Sequence, residues 1–419
     1  MKIKTIHATY DKVASLPRDK RRKPKRPNLF FRTLIRVLSS IGMAGLKFDA
    51  RKGDLRGTDG EPCLILMNHS CFLDMQIASR LLYPRAYGIV TTTDGFIGKN
   101  WLMRQIGCIP TQKFVSDLNL IRDMTYMLRK KRTSVLMFPE AGYSFDGRAT
   151  VLPRKFGKLL KMLDVPVWFI FAEGAFWRTP LYNELKNRRA PIRADLNCLL
   201  TREEIAEKSV EELDAIIENA FTFDHFKAQK EQGVRITESD RADGLERVLY
   251  KCPHCLAEGQ TRGEGTRLSC RACGKAWELD ELGQMVALDG DTEFSHVPDW
   301  FDWQRASVRA ELEAGTYRLD TPVDVAMIVN SRALYTVGSG RLVHDTNGFR
   351  LTSDDGKLDY EQKPRFSYTL NADYYWYEIG DIISVGTADC LYYCFPKTSV
   401  PVAKARLATE ELYKMSFGE

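Results

Sequence analysis

The chain has 419 residues, 44% of them apolar and 28% charged, long enough for about two to four domains that each bury a core. Twenty-nine Gly and 17 Pro, with no long biased tract, exclude a largely disordered, collagen-like or low-complexity protein. The net charge of +6 is uneven: residues 1–50 carry 13 Lys/Arg and three Asp, a charge of +10, which leaves −4 for the remainder. A basic head on a mildly acidic body points to an anionic surface, either phospholipid or nucleic acid.

Taken in chain order, residues 1–27 are polar and basic, with Arg18, Lys20, Arg21, Arg22, Lys23, Lys25 and Arg26 packed around Asp19 and Pro24; no core is expected there. From Asn28, which suits an N-cap, Leu29, Phe30, Leu34, Ile35, Leu38 and Ile41 recur at helical spacing. This predicts an amphipathic helix that either packs on its own domain or lies in a membrane interface beside the basic cluster. The longest uncharged apolar stretches, 37–46 and 62–73, fall short of the roughly 20 residues that span a bilayer. Arg32 and Arg36 interrupt the apolar segment behind the basic run, and no small-residue cleavage site follows it. A cytosolic protein is expected.

Between about 60 and 200, apolar runs suited to strands (63–67, 87–91, 134–138, 167–171) alternate with helical patterns (71–82, 100–106, 117–130, 155–163). That alternation predicts an α/β sheet with active groups on the loops leaving the strand ends. Residues 201–232 read as charged helix and 238–244 as a linker. Ten Cys in a cytosolic chain are thiols or metal ligands sooner than disulfides. Four are patterned: Cys252-Pro-His-Cys255 and Cys270-Arg-Ala-Cys273, with 14 residues between the knuckles, predict a structural tetrahedral zinc site. After about 285, Tyr, Phe, Val and Thr with Gly-containing turns predict a β-rich region, a small barrel or sandwich of the pleckstrin-homology type closed by a helix over Val402–Met415. The division is thus 1–50, 51–235, 236–285 and 286–419.

The chemistry is carried by Asn68-His69-Ser70-Cys71-Phe72-Leu73-Asp74. Five residues at about 100° each leave His69 and Asp74 roughly 140° apart on a continuous helix, so they meet only if His69 precedes the helix. A preceding strand, with Ser70 as cap, favours that placement. Asp holding one imidazole nitrogen leaves the other free to take a proton from a hydroxyl. Alone the pair is weakly diagnostic. It is followed, however, by Gly107-Cys108-Ile109-Pro110-Thr111-Gln112-Lys113, by Phe138-Pro139-Glu140-Ala141-Gly142-Tyr143-Ser144, and by Val165-Pro166-Val167.

These four segments, over about residues 28–200, resemble the glycerolipid acyltransferase family, best known for 1-acylglycerol-3-phosphate acyltransferases, with its N-H-x-S-x-x-D, Gly-x-x-x-x-x-Arg, F-P-E-G-T-R-S and V-P-V blocks. The resemblance implies His69 as general base, Asp74 as its orienting partner, and a fatty acyl group moving from acyl-CoA or acyl-carrier protein to the free hydroxyl of a lysophospholipid, 1-acylglycerol-3-phosphate first among them. Backbone N–H groups at the start of the following helix would hold the oxyanion. Asn68, Lys113, Glu140, Gly142 and Ser144 match motif positions and, with Arg154 and Lys155, are the substrate-binding candidates. Three departures stand out. Cys71 replaces Ser, Lys113 replaces the phosphate-binding Arg, and Ala141-Gly142-Tyr143 replaces Gly-Thr-Arg, removing a further phosphate-facing Arg for which Arg154 or Lys155 would have to compensate. A lysolipid without a terminal phosphate is the other acceptor these departures allow. Two rival functions stay open: a nucleic-acid module built on zinc ribbon and basic arm, disfavoured by the acidic body, and an inactive lipid-binding scaffold. The reading adopted is a peripheral enzyme on the cytoplasmic face of an anionic membrane, not bound to nucleic acid.

Overall fold

The computed structural model describes residues 3–115 and 117–419. Its centre is a seven-stranded sheet in the order Phe48–Lys52, Ile192–Leu200, Val167–Glu173, Leu64–Met67, Ser134–Met137, Tyr87–Thr92, Cys108–Thr111. All neighbours run parallel except Val167–Glu173 against Ile192–Leu200. The middle strands are continuously apolar because both faces are covered. Ile65 and Met67 pack with Ile77 and Leu81 of the helix Leu73–Leu82, whereas Leu64 and Leu66 alternate to the other face, against Met124 and Leu160.

The strands and helices expected between 60 and 200 are present with ends moved by a residue or two, and the helix expected over 117–130 closes in a wider π turn at Tyr126–Lys130. Three strands escape the sequence reading. Phe48–Lys52 is an edge strand with four of five residues exposed, so it carries no apolar run. Cys108–Thr111 is the opposite edge and contains Pro110, which is tolerated where no further ladder bond is needed. Ile192–Leu200, next to the edge strand Phe48–Lys52, alternates polar and apolar residues.

The amphipathic helix spans Leu29–Gly42, and the Asn28 side chain caps it by accepting from Phe31 N at 3.0 Å. Its inner face rests on Leu73–Leu82 through buried Ser39 and a 3.3 Å contact between the hydroxyls of Thr33 and Tyr83. Leu29, Phe30, Leu34, Val37, Leu38 and Ile41 face outward. The preceding arm departs from expectation. Thr5–His7 adds a parallel strand to the C-terminal sheet, Val13 of the helix Tyr10–Ala14 is fully buried, and Arg21 pairs with Asp123 at 2.7 Å. The arm finds its core at the far end of the chain, which local composition does not reveal.

The four-Cys region folds as an antiparallel sheet ordered Met285–Ala287, Ala276–Leu279, Arg267–Cys270, Thr261–Glu264. Residues 238–244 are not a free linker: Ala242 is buried and Arg241 Nε donates to Leu279 O at 2.6 Å. Next comes a helix, Val297–Glu313, where only strands were expected. Pro298 lies in its first turn, and Val297, Trp300, Phe301, Val308 and Leu312 form one buried stripe at helical spacing. The C-terminal sheet then runs Asp359–Gln362, Gly348–Ser353, Leu334–Asp345, Leu319–Ile328, Leu391–Pro396, Gly380–Gly386, Asn371–Trp376, all antiparallel. Gln362 Oε1 accepts from Gly386 N at 3.1 Å, curling the sheet, and Val402–Met415 packs across its last two strands. No described helix is long and apolar enough to cross a membrane.

Candidate active site and metal centre

His69 sits on the turn between Leu64–Met67 and Leu73–Leu82, two residues past the strand and four before the helix. There its Nδ1 lies 2.9 Å from Asp74 Oδ2. Asp74 is fully buried, and the same oxygen accepts from Ser70 N at 2.7 Å and Cys71 N at 3.0 Å. Ser70 is therefore not the cap; Asp74 closes the turn from inside the helix's first residues. The Ser70 and Cys71 N–H groups, in the turn before the helix, are thus both directed at Asp74. The His69 ring is clamped between Phe138, stacked at 4.1 Å, and Tyr143, edge-on at 4.6 Å. Its side chain keeps 18% of its surface exposed, and among the described residues its second ring nitrogen has no hydrogen-bond partner. An oriented imidazole with one free nitrogen is what proton abstraction from a hydroxyl requires.

The motif positions around it divide by what they touch. Asn68 is buried, and its amide exchanges hydrogen bonds with the Ala172 backbone (2.9 and 2.7 Å), stitching the turn to the neighbouring strand. Glu140 is buried as well. Its carboxyl oxygens accept from His69 N at 2.8 Å and Thr150 N at 2.9 Å, tying together the two loops that meet at the site. Burial pushes this carboxyl up to about 8 against the pull of those N–H groups. Ser144 Oγ donates to Arg148 O at 2.6 Å and accepts from Gly147 N at 2.9 Å, while its N–H reaches His69 O at 3.2 Å. All three, read as substrate-binding from the motif, are occupied in holding the loops. Gly142 is half-buried and faces Phe114. Ala141, beside it, takes the left-handed φ of +52° that a glycine would adopt without strain.

Among the cations, Lys113 Nζ stands 4.0 Å from Asp373 Oδ2 of the C-terminal sheet. Arg154 turns away to Glu419, at 2.6 Å, and to the rings of Tyr413 and Phe417. Lys155 is exposed at the start of Phe156–Leu163. Neither is brought to His69. Cys71 is buried against Ala175 O, and burial drives its thiol well above the usual range, the reverse of an activated nucleophile. Sequence reasoning missed Phe138 and Tyr143 as clamps on the imidazole and missed Asp373 altogether. The first two lie within a motif already singled out, whereas nothing local marks Asp373.

The sulfurs of Cys252, Cys255, Cys270 and Cys273 lie within 4.8 Å of one another, with Cys252–Cys273 at 3.8 Å and Cys255–Cys270 at 3.7 Å. Four thiolates about 2.3 Å from a tetrahedral zinc would be separated by about 3.8 Å, whereas a disulfide needs about 2 Å. The donor set fits zinc. Cys252 and Cys270 are buried in the same core as Trp277 and Trp300, so the cluster is braced against the helix Val297–Glu313.

A family model described as Acyltransferase matches residues 50–174, the segment that contains His69, Asp74, Lys113 and Glu140. No curated protein matches the chain. Among solved structures, the crystal structure of the 1-acyl-sn-glycerophosphate (LPA) acyltransferase, PlsC, from Thermotoga maritima is similar over 49% of this chain and 81% of that one, at 15% identity and a TM-score of 0.37. The family match and the buried Asp74 holding His69 at the strand-to-helix turn lead to one statement: residues 50–174 are an acyltransferase-family domain.

Proposed function

We propose that the protein moves a fatty acyl group from an acyl thioester, acyl-CoA or acyl-carrier protein, to the free hydroxyl of a lysophospholipid in phospholipid synthesis. The observation that carries the reading is the dyad: one carboxylate oxygen fixes Nδ1 of His69 while Nε2 is left to act. Nε2 takes the acceptor hydroxyl proton as its oxygen attacks the thioester carbonyl. The C–S bond then breaks, the proton passes from the imidazolium to the departing sulfur, and no acyl-enzyme is formed. Asp74 stabilises the imidazolium in between, and Phe138 and Tyr143 keep the ring in plane for both transfers.

The acceptor lies in a membrane, and the exposed face of Leu29–Gly42 supports docking there. Beside that helix lies exposed Trp101, whose ring meets Phe31 at 6.0 Å, and Leu102, Leu118 and Phe72, three residues from His69, are exposed as well. Arg22, Lys25 and Arg26 rim it, exposed, where each basic group near an anionic leaflet adds about 1 kcal/mol. Apolar insertion with a cationic rim fits a peripheral protein on the cytoplasmic face, where thioester donors are made. A bound zinc would supply folding energy alone, held by Cys252, Cys255, Cys270 and Cys273. Through Arg247 O, which accepts from Tyr374 Oη at 2.7 Å, that region backs the strand Asn371–Trp376 behind the site. The test is to incubate the purified protein with vesicles containing lysophospholipids and with acyl-CoA or acyl-carrier protein donors. Intact-lipid mass spectrometry should show a diacyl product; free fatty acid with no such product would contradict the reading.

A further inference from the structure

We infer that the strand Asn371–Trp376 supplies the acceptor-selecting wall of the His69 site, and that this wall fits a zwitterionic headgroup, a phosphodiester joined to a primary ammonium, in preference to a phosphate monoester. The inference rests on the acyl-transfer reading and narrows its acceptor.

Three segments distant in sequence meet beside His69. Tyr143 stands edge-on to His69, and Asp373 lies near enough that its charge adds to burial in raising the Tyr143 hydroxyl. Lys113 faces Asp373, and the ring of Phe114, the next residue, reaches within 3.9 Å of where a side chain on Gly142 would begin. Ser367 Oγ lies 3.1 Å from Phe114 O, so the C-terminal region meets the same loop. The ladder between Asn371–Trp376 and Gly380–Gly386 breaks register between Asp373 and Trp376, and Tyr375, Tyr377 and Glu378 all have positive φ. Such a bulge re-aims side chains and stores strain; here it presents Asp373 toward the acyltransferase domain.

The charges then decide what fits. Lys113 and Asp373 have 16% and 14% of their side chains exposed, and at 4.0 Å they are ion-paired without a hydrogen bond. A phosphate monoester carries about −1.5 to −2 charges at neutral pH. Near Lys113 it would also meet Asp373, with Asp94 adding further negative potential there. The cations that the motif offers to offset it are not there: Tyr143 stands where the family has Arg, Arg154 is held by Glu419, and Lys155 faces solvent. A phosphodiester bears one negative charge for Lys113, and an ammonium linked to it completes Asp373. Burial pushes the Asp373 carboxyl up to about 6, with Lys113 and the Tyr374 N–H opposing this in part.

The experiment measures kcat/KM for three acceptors that share one acyl chain: 1-acylglycerophosphoethanolamine, 1-acylglycerophosphoglycerol and 1-acylglycerol-3-phosphate. The wild type should favour the ethanolamine headgroup by at least about tenfold over both others. Asp373→Asn retains an acceptor for Tyr374 N, 2.9 Å away, so the fold should persist. It should raise KM for the ethanolamine acceptor by about tenfold with kcat held, and leave the glycerol acceptor unchanged or improved. Wild-type preference for the monoester, or an equal loss on all three acceptors in the variant, would overturn the inference while leaving acyl transfer standing. Absence of lipid product from every acceptor would instead refute the acyl-transfer reading, and this inference with it.

Discussion

Replacing Asp74 by Asn tests the dyad at constant shape. In the wild type Oδ2 accepts three donors, from His69, Ser70 and Cys71, while Oδ1 is buried with no protein partner. The Asn side chain has one oxygen, and placing it at the Oδ2 position keeps all three donors satisfied. Its NH₂ then occupies the Oδ1 position, where nothing accepts, at a cost of about 1–3 kcal/mol. Losing the charge weakens each of the three bonds by roughly a further 0.5–1 kcal/mol, so unfolding free energy should fall by about 2.5–6 kcal/mol. The opposite rotamer is worse, since it sets NH₂ against two backbone N–H groups. The His69 tautomer survives, but the imidazolium formed in proton transfer loses its counter-charge. At 2.9 Å and an effective dielectric of about 20, that attraction has a ceiling near 6 kcal/mol. Realising between half and all of it corresponds to a kcat loss between about 10² and 10⁴, with KM little changed. Urea denaturation and thiol release from acyl-CoA measure the two effects separately. A folded Asp74→Asn protein with kcat within about threefold of wild type would refute the reasoning.

Three further outcomes follow from the same structure. Freshly purified protein should contain about one zinc per chain, and Cys270→Ser should lose it and unfold at lower temperature, because Cys270 lies in the main core; elemental analysis without zinc would count against the four-thiolate site. Phe30→Asp with Leu38→Asp should weaken sedimentation with anionic vesicles while the far-ultraviolet spectrum is unchanged, since both side chains are more than half exposed; changing Lys20, Arg22, Lys25 and Arg26 to Gln should make the remaining binding less salt-sensitive. Ala141→Gly should raise stability by about 1 kcal/mol in denaturant titration by relieving the φ of +52°.

Substitution is a better probe of the arm than deletion. Removing 1–27 would take away the strand Thr5–His7 and buried Val13 along with the charges. That difference shows where sequence is a good guide and where it is not. The His69–Asp74 pairing was legible because five residues of spacing admit contact only at a strand-to-helix turn, and the strand before it reads clearly. The four-Cys cluster was legible because its spacing is local. The amphipathic helix showed its two faces, and both proved used, one packed and one exposed. What escaped depends on distant partners: Val13 is buried by a sheet formed from residues beyond 319, and Asp373 becomes part of the site only because that sheet docks beside Lys113. Motif matching also assigned Asn68, Glu140 and Ser144 to substrate when their polar atoms are taken up by backbone. Such a residue can be a fixed motif position for folding reasons, and sequence alone does not separate the two.

The central claim is that the free nitrogen of His69 carries the proton in acyl transfer to a lipid hydroxyl. The most direct measurement is the rate of diacyl-lipid formation, followed by intact-lipid mass spectrometry, for wild type and His69→Ala on vesicles to which both bind equally. The account predicts at least a hundredfold loss of rate, with vesicle binding and unfolding midpoint retained, because the ring is partly exposed and its removal leaves Asp74 paired to Ser70 and Cys71. Diacyl-lipid formation by His69→Ala at a rate near that of the wild type would contradict it.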